Sequence, residues 1–325
     1  MTNTEFKQLY IEARNRLPGL TEKTMSKILA AYVDAGKVAA EAVRNATLQG
    51  ASNLTIDSWQ AIEEQLSRGA QNIINSINEN VHQVVRNSTE FTSDINERYI
   101  NDAILYSGGK ITSAGIAAVY RAINDQVIAS IANRIYQDGY TFSTRVWRAG
   151  LAYQEQMRRV LLAGLAQGRD PIKLALDLQA YIKDGKIALV QRYGKLVRGT
   201  AAFIKRINKR VDWRALRLVV SELYAGLQDA ARLQGHANPA GLDVYDWILE
   251  RGRQDWDCQC PDIASGSPYK YAQVPGYPHA RCRCRVVVRL RDSREFFNDL
   301  KKWGSGQSVL YLDDWFTRNS FLLNE

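Results

Sequence analysis

The sequence predicts a mainly α-helical protein with a long amphipathic N-terminal arm and a small C-terminal α+β module that carries a β-hairpin and a Cys/His knot. Three observations lead to this fold class. Apolar residues recur at helical spacing through most of the chain before residue 240, short strand patterns follow, and all four cysteines fall within residues 258–284. With 325 residues and 46% hydrophobic composition, the chain has enough apolar side chains for a substantial core.

The first part of the chain, residues 1–105, is predicted to form a helical arm or an antiparallel helical hairpin. Its clearest pattern lies in residues 55–85, where one face of a long helix collects the apolar residues Ile62, Leu66, Ile73, Ile77, Val81 and Val84. The segment Leu-Pro-Gly-Leu-Thr at 17–21 is predicted to end the helix before it, with Thr21 as the N-cap of the next. A second break is predicted at Gly-Ala-Ser-Asn, residues 50–53.

The second part, residues 106–240, is predicted to be a helical body in which Asp170 caps a helix that opens with Pro171. Positive charge is concentrated here. The chain as a whole has a net charge of +9, whereas residues 141–220 alone contain 17 Lys and Arg against 5 Asp and Glu. Such a block either faces a polyanion or an acidic partner, or is a solvated helical surface.

Within the body, residues 195–213 (KLVRGTAAFIKRINKRVDW) separate into an apolar and a basic helical face. The apolar face contains Val197, Ala201, Ile204, Ile207 and Val211. The basic face is the candidate site for a nucleic acid or an acidic partner and contains Lys195, Arg198, Lys205, Arg206 and Lys209. If this face binds double-stranded DNA, the binding is expected to be strongly salt-dependent and independent of sequence.

The last two parts are predicted to be a Cys/His β-hairpin module, residues 241–292, and a C-terminal docking tail, residues 293–325. Alternation in RCRVVVRLRD, residues 283–292, predicts a short strand, and YKYAQV, residues 269–274, is its expected antiparallel partner. The tail is rich in aromatic residues, so it is expected to dock on this chain's own body or on a neighbour.

The cysteines form two pairs, Cys258-x-Cys260 and Cys282-x-Cys284, and His279 precedes the second pair by three residues. Thiolates and imidazoles are the ligands of tetrahedral structural zinc sites, which take four of them. The loop between the pairs is rich in Gly and Pro and allows a hairpin that brings the pairs together. The sequence therefore predicts a structural zinc site whose ligands are all four cysteines, or three cysteines and His279.

Other interpretations of these cysteines stay open. Zinc knuckles usually place two residues between paired cysteines, and a single residue tends to splay the sulfurs. A disulfide between the pairs, or four free thiols, also fits the sequence, although disulfides are rare in the cytosol. A cysteine nucleophile served by His279 lacks an orienting third group. A zinc deaminase is excluded because no His-x-Glu precedes a Pro-Cys-x-x-Cys.

No other catalytic set of residues stands out, so the chain is not expected to be an enzyme or to bind a small-molecule substrate. His82 and His236 are isolated and are not predicted to be ligands. No uncharged apolar stretch approaches the roughly 18 residues of a membrane span, and the N-terminus lacks a signal-peptide pattern. A protein made in the cytoplasm without a membrane partner is therefore expected.

Residues from about 217 to 288 carry a recognisable combination of motifs. The helix SELYAGLQDAARLQG presents Glu222 and Tyr224, the strand YDWILE follows, and the stretch ends in Pro-His-x-x-Cys-Arg-Cys at residues 278–284. This combination resembles the phage Mu F-like head morphogenesis proteins, the minor head proteins of tailed bacteriophages. The chain departs from the family pattern at its first cysteine pair, where one residue, Gln259, replaces the usual two.

The resemblance implies a structural role in the virion. It implies a low-copy minor capsid protein that associates with the portal protein or the major capsid protein, enters the procapsid during assembly in the host cytoplasm, and contacts packaged DNA inside the head. An alternative that the residues alone also allow is a non-specific DNA-binding protein with a zinc-ribbon-like module.

Overall fold

A computed structural model of the chain describes residues 3–48, 56–136, 138–167, 169–193, 205–207, 209–250, 258–279 and 282–323. The architecture is mainly α-helical with one small antiparallel sheet, which confirms the predicted fold class. The described helices are α1 (Asn3–Leu48), α2 (Ile56–Ile104), α3 (Ser113–Asn133), α4 (Phe142–Ala166), α5 (Pro171–Asp184), α6 (Lys186–Tyr193), α7 (Trp213–Ala237), α8 (Cys260–Ser265), α9 (Ser293–Gly304) and α10 (Leu310–Leu323). The strands are β1 (Gly241–Ile248), β2 (Tyr269–Lys270) and β3 (Arg285–Leu290).

Helix α2 confirms the long amphipathic helix that the apolar periodicity predicts, and it continues beyond the predicted segment to Ile104. All six residues of the predicted apolar face are buried. Burying one such stripe is the main stabilisation available to a long amphipathic helix, because propensity alone contributes little.

Helix α1 is continuous through residues 17–21, so the predicted break at this point is wrong. Pro18 lies inside the helix, and the hydroxyl of Thr21 donates to the Leu17 carbonyl at 2.9 Å instead of capping a new helix. Leu17 is completely buried. Packing of this turn therefore outweighs the cost of about 3 kcal/mol that an interior proline imposes on a helix. The predicted break at residues 50–53 lies outside the described residues.

Side-chain caps fix the beginnings of several helices, among them α3, α4 and α5. Asp170 accepts a hydrogen bond from the backbone N–H of Lys173 at 3.0 Å, with Pro171 in the first turn, and this confirms the predicted start of α5. Thr112 and Thr141 cap α3 and α4 in the same manner. Each cap satisfies an N–H that the helix itself leaves without a partner.

The chain divides into two compact units that are assembled from separate stretches. Unit 1 comprises Met1–Thr21, His82–Arg134 and Val220–Glu325, and unit 2 comprises Glu22–Val81 and Ile135–Val219. The division into four consecutive parts that the sequence suggests stays a prediction.

Unit 2 is a helical unit in which tyrosine rings fill the core. Tyr32 of α1 meets Tyr153 of α4 edge to face, with the ring centroids 6.0 Å apart. Helix α2 approaches α1 closely at Gly69, because a Cβ atom there would lie only 3.0 Å from the Cβ of Ala35. Arg158 of α4 forms an ion pair with Glu63 of α2 at 2.6 Å.

The sheet belongs to unit 1 and has the strand order β2-β1-β3, with both pairs antiparallel. β3 confirms the predicted strand, but its partner is β1 and not the YKYAQV segment, so the predicted pairing is wrong. β2, the short strand of that segment, pairs with the other edge of β1. Tyr245 and Trp247 of β1 are buried in the core, and this packing places β1 in the centre. Alternation of apolar and polar residues within a strand does not predict that β1 lies between the two other strands.

The C-terminal tail packs on its own chain. Leu312 and Trp315 of α10 are buried, and the Trp315 indole N–H donates to the carbonyl of Ala237, the last residue of α7, at 2.6 Å. Leu323 lies against Gly115 of α3, and a Cβ atom added to Gly115 would clash with the backbone of Leu323. Of the two docking modes that the sequence allows, the structure shows attachment to the chain's own body.

The beginning of the chain also joins unit 1. Lys7 of α1 donates to the carboxylate of Asp246 on β1 at 2.9 Å, and Arg289 of β3 reaches the same carboxylate at 2.7 Å. Phe6 packs against Tyr99 of α2 in the core beside them. The first turns of α1 are therefore attached to the sheet and to the core beside it.

Candidate metal centre

The five candidate ligands lie together in unit 1, at one end of the sheet. Cys260 is the first residue of α8, and Cys258 lies two residues before it; Cys284 is the residue before β3, and Cys282 lies two residues before Cys284. His279 lies in the loop between β2 and β3. The loop therefore folds back as the zinc hypothesis requires, and it brings the two cysteine pairs together across 22 positions of sequence.

The donor atoms are close to one another. Nε2 of His279 lies 3.0 Å from the sulfur of Cys258 and 3.1 Å from that of Cys260. The sulfurs of Cys260 and Cys282 are 3.5 Å apart. Thiolates bound to one tetrahedral ion at about 2.3 Å would be separated by about 3.8 Å. The distance between the Cys260 and Cys282 sulfurs is near that value, and the histidine nitrogen lies beside two of the sulfurs, so this Cys/His cluster could hold a metal ion.

Cys260 occupies the centre of the cluster. One group of donor atoms within 4.8 Å of one another consists of Cys258, Cys260 and His279, and a second consists of Cys260, Cys282 and Cys284. Cys260 is common to both groups. The three cysteines of the second group are buried, whereas Cys258 and His279 are half-buried. All four cysteines are free thiols.

The local backbone at the start of α8 explains why the sulfurs of Cys258 and Cys260 do not splay apart, although only one residue separates them. Gln259 has helical backbone angles, and the backbone N–H of Cys260 turns back to donate to the sulfur of Cys258 at 3.3 Å. Both sulfurs consequently face the same imidazole nitrogen. On the other side, the N–H of Cys282 donates to the His279 carbonyl at 3.1 Å, which ties the histidine to the second pair.

Hydrogen bonds among the buried thiols give them different pKa values. The hydrogen bond from Cys282 lowers the pKa of Cys284 to about 6, against the opposing effect of burial. Trp247 and the charge of His279 act on Cys284 in the same direction as Cys282. The same bond to Cys284 raises the pKa of Cys282, and burial raises the pKa of Cys260. Cys284 is therefore the thiol of this group that most readily becomes a thiolate.

Neighbouring side chains hold the backbone of the second cysteine pair. The amide of Gln228 on α7 donates to the Cys284 carbonyl at 2.8 Å, and the hydroxyl of Tyr277 donates to the Cys282 carbonyl at 3.1 Å. Sequence reasoning missed both residues. Gln228 lies within the helix that carries the family resemblance, but only the tertiary structure shows that it faces the cysteines.

Glu222 and Tyr224, the two α7 residues on which the family resemblance partly rests, lie close to the Cys/His cluster. Glu222 is completely buried and pairs with Arg134 at 2.8 Å. The ring of Tyr224 lies beneath the guanidinium of Arg283, the residue between the second pair of cysteines, at 5.7 Å from the ring centroid. These contacts give both residues a structural role beside the cluster.

The predicted basic face is only partly within the described residues. Lys195 and Arg198 lie outside them, as do Val197, Ala201 and Ile204 of the opposite face. Lys205, Arg206 and Lys209 are exposed, and Ile207 and Val211 are buried. Residues 207 and 209–212 are not helical, however, so the prediction that these side chains lie on two faces of one helix is wrong there.

Two further cations join the described part of the basic face within unit 2. The side chain of Lys186 donates to the Lys205 carbonyl at 3.3 Å, and its backbone N–H donates to the Lys209 carbonyl at 3.0 Å. Arg159 donates to the Arg206 carbonyl at 2.6 Å. We call these five residues, Arg159, Lys186, Lys205, Arg206 and Lys209, the basic cluster.

His236 lies outside both groups of donor atoms found in the described part of the chain, but it is not isolated in space. Its Nδ1 atom lies 2.7 Å from the carboxylate of Asp243, its Nε2 atom lies 2.8 Å from Arg318 of α10, and its ring stacks on Tyr271. These contacts attach α10 to the end of α7.

Comparisons of the chain with protein-family models, with curated proteins and with solved structures find no match. Among the helices in the described part of the chain, none combines the length and the apolar character needed to cross a membrane.

Proposed function

We propose that this chain is a structural minor head protein of a tailed bacteriophage. In this proposal it associates with the portal protein or the major capsid protein during procapsid assembly in the host cytoplasm, and it remains in the head. The observation that carries the proposal is the approach of His279 and Cys282 to Cys260. The Pro-His-x-x-Cys-Arg-Cys ending on which the family resemblance rests is therefore the segment that closes the cluster.

The ion that best suits this donor set is zinc. Thiolate sulfur and imidazole nitrogen are soft or borderline ligands, and zinc accepts them in a tetrahedral arrangement. Four of the five residues Cys258, Cys260, His279, Cys282 and Cys284 would hold it. Catalytic zinc sites have three protein ligands and keep a position open, whereas five donors compete for four positions here. Bound zinc would supply cross-links between α8, the loop and β3, which supports a structural role rather than an enzymatic one.

The zinc part of the proposal is tested by measuring metal content and free thiols on protein purified without chelator. Elemental mass spectrometry is expected to find one zinc per chain, and four thiols should react after denaturation. A chain that carries no metal after purification with zinc in every buffer contradicts the proposed site.

The head part is tested by fractionation of phage particles. A tagged copy of the chain is expressed in host cells that produce the phage, and heads are separated from free protein by sedimentation. We expect the tagged chain to sediment with heads and with the portal protein, in contrast to a tagged host protein of similar size. Absence of the chain from both procapsids and mature heads contradicts a role as a head protein.

A non-specific DNA-binding protein with a zinc-ribbon-like module is the second candidate, and the basic cluster favours it. Cations from α4, α6 and residues 205–209 lie next to one another there. Each contact to a phosphate would release a counterion, which produces affinity without sequence preference. The two candidates are distinguished by the sedimentation experiment, because a DNA-binding protein of this kind would follow free DNA as well as heads.

A further inference from the structure

Trp247 lies on the same face of the sheet as Cys284. In the antiparallel pairing of β1 with β3, Trp247 is opposite Val286. Cys284 precedes Val286 by two residues, and burial alternates along this segment: Cys282, Cys284 and Val286 are buried, while Arg283 and Arg285 are half-buried. Side chains two residues apart in an extended segment share a face, and a large aromatic side chain reaches its diagonal neighbour across the strands.

The indole N–H of Trp247 is a buried donor in need of an acceptor. Trp247 is only 5% exposed, and its Nε1 atom makes no hydrogen bond of ordinary geometry to any group in the described part of the chain. Two other buried tryptophans of unit 1 differ in this respect. Trp303 donates to the carboxylate of Asp313 at 2.7 Å, and Trp315 donates to the Ala237 carbonyl. Buried N–H groups nearly always have a partner, so this exception points to an acceptor that Trp247 serves.

We propose that the Trp247 indole N–H is a positioning donor to the sulfur of Cys284 when that sulfur is a metal-bound thiolate. This inference rests on the proposed metal site. A thiol is a weak acceptor, but a thiolate carries a negative charge and accepts readily. Donors around a metal ligand orient it and tune its basicity. The sulfur of Cys258 already accepts a hydrogen bond from the backbone N–H of Cys260. The first and the last cysteine of the cluster, Cys258 and Cys284, would then each accept a hydrogen bond from an N–H group.

The matched variants Trp247→Phe and Trp303→Phe test the inference. Both keep an aromatic ring and remove one indole N–H, but Trp303 bonds Asp313 rather than a cysteine. In the full-length chain we expect Trp247→Phe to lower zinc affinity about 10-fold to 100-fold, measured by competition with a chelator. In the cobalt-substituted protein the sulfur-to-cobalt charge-transfer band is expected to move to lower energy, since the thiolate loses a donor. Trp303→Phe is expected to change neither quantity.

The results distinguish a failure of this inference from a failure of the proposed metal site. Wild-type protein that binds neither zinc nor cobalt overturns the metal site itself. Wild-type protein that binds both, together with a Trp247→Phe variant of unchanged affinity and spectrum, overturns the role of Trp247 alone. If Trp247→Phe does not fold, nuclear magnetic resonance of the wild type with ¹⁵N-labelled indoles provides the answer. The Trp247 indole proton should move downfield on zinc addition more than those of the other tryptophans, and no such shift contradicts the inference.

Discussion

Arg134 follows the last residue of α3 and donates a hydrogen bond at 2.8 Å to the carboxylate of Glu222, whose side chain is completely buried in α7. The same guanidinium reaches Asp229, two turns further along α7, at 2.5 Å. Burial raises the pKa of Asp229. One arginine therefore pairs with two carboxylates, of which Glu222 is completely buried and Asp229 is partly exposed.

Removal of Arg134 should take away the guanidinium that pairs with the buried carboxylate of Glu222. We expect Arg134→Met to lower the free energy of unfolding by about 3–5 kcal/mol, measured by urea denaturation. Arg86→Met is the matched control, because Arg86 pairs with Asp125 on the surface of the same unit. Its loss is expected to cost less than about 1 kcal/mol. Equal effects of the two variants would show that the Arg134 pair is no more important than a surface pair.

Cysteine substitutions should have unequal effects on metal binding. Cys260 belongs to both groups of donors, so its loss leaves neither group complete, whereas loss of Cys258 leaves the group of Cys260, Cys282 and Cys284 intact. We expect Cys260→Ser to abolish stoichiometric zinc binding and Cys258→Ser to retain one zinc at lower affinity. Metal content and chelator competition measure both. Full zinc occupancy in Cys260→Ser would contradict its central place in the site.

The basic cluster gives a salt-dependent prediction. Replacement of Lys205, Arg206 and Lys209 by Gln is expected to reduce the slope of log affinity for duplex DNA against log salt by about 3, because each lost phosphate contact contributes about 0.9. Fluorescence anisotropy over a salt series measures the slope.

A control with the same change in charge uses three exposed cations of α1, Lys23, Lys27 and Arg44, each replaced by Gln. This control should leave the slope nearly unchanged. An equal reduction in both triple variants would mean that overall charge, and not the basic cluster, governs binding.

The pair of Glu63 and Arg158 predicts a dependence of stability on pH. Hydrogen bonds from Arg158, at 2.6 and 2.7 Å, lower the pKa of Glu63 in the folded state. The unfolded chain therefore takes up the proton first as the pH falls. The stabilisation is complete above the ordinary pKa of Glu and is lost as the pH falls through the lowered value.

We expect Glu63→Gln to be less stable than wild type near neutral pH, with a difference that shrinks below about pH 4. Urea denaturation at a series of pH values measures this difference. A difference that stays constant across the series would assign the effect to packing instead of charge.

Local pattern predicted most of the helical fold, and its errors have a common cause. The apolar periodicity of residues 55–85 correctly predicts α2, and Asp170 correctly predicts the start of α5. The break expected at Pro18 is wrong because burial of Leu17 outweighs the local penalty. The pairing expected for β3 is wrong because Tyr245 and Trp247 place β1 between the two other strands. In both cases distant packing overrides a short-range preference.

The candidate site could likewise be predicted only in part from the sequence. Spacing in the sequence indicates every cysteine of the cluster and His279, because ligands must come in close pairs on a turn. Gln228 and Tyr277 carry no such signature, since they donate to the cysteine carbonyls from a helix and a loop. The same is true of Trp247, the proposed donor on the neighbouring strand. The groups that position ligands are thus the part of a metal site that a sequence pattern reveals least.

The bond between Lys7 and Asp246 joins residues 239 positions apart, and it therefore has a consequence during synthesis of the chain. At a translation rate of about 5–20 residues per second, Lys7 waits roughly 10–50 s before Asp246 exists. Throughout that interval the core around Phe6 and Tyr10 lacks the sheet and the two C-terminal helices that complete it. The nascent N-terminal segment is for that time prone to aggregation, because its apolar side chains stay exposed until the rest of the core is made.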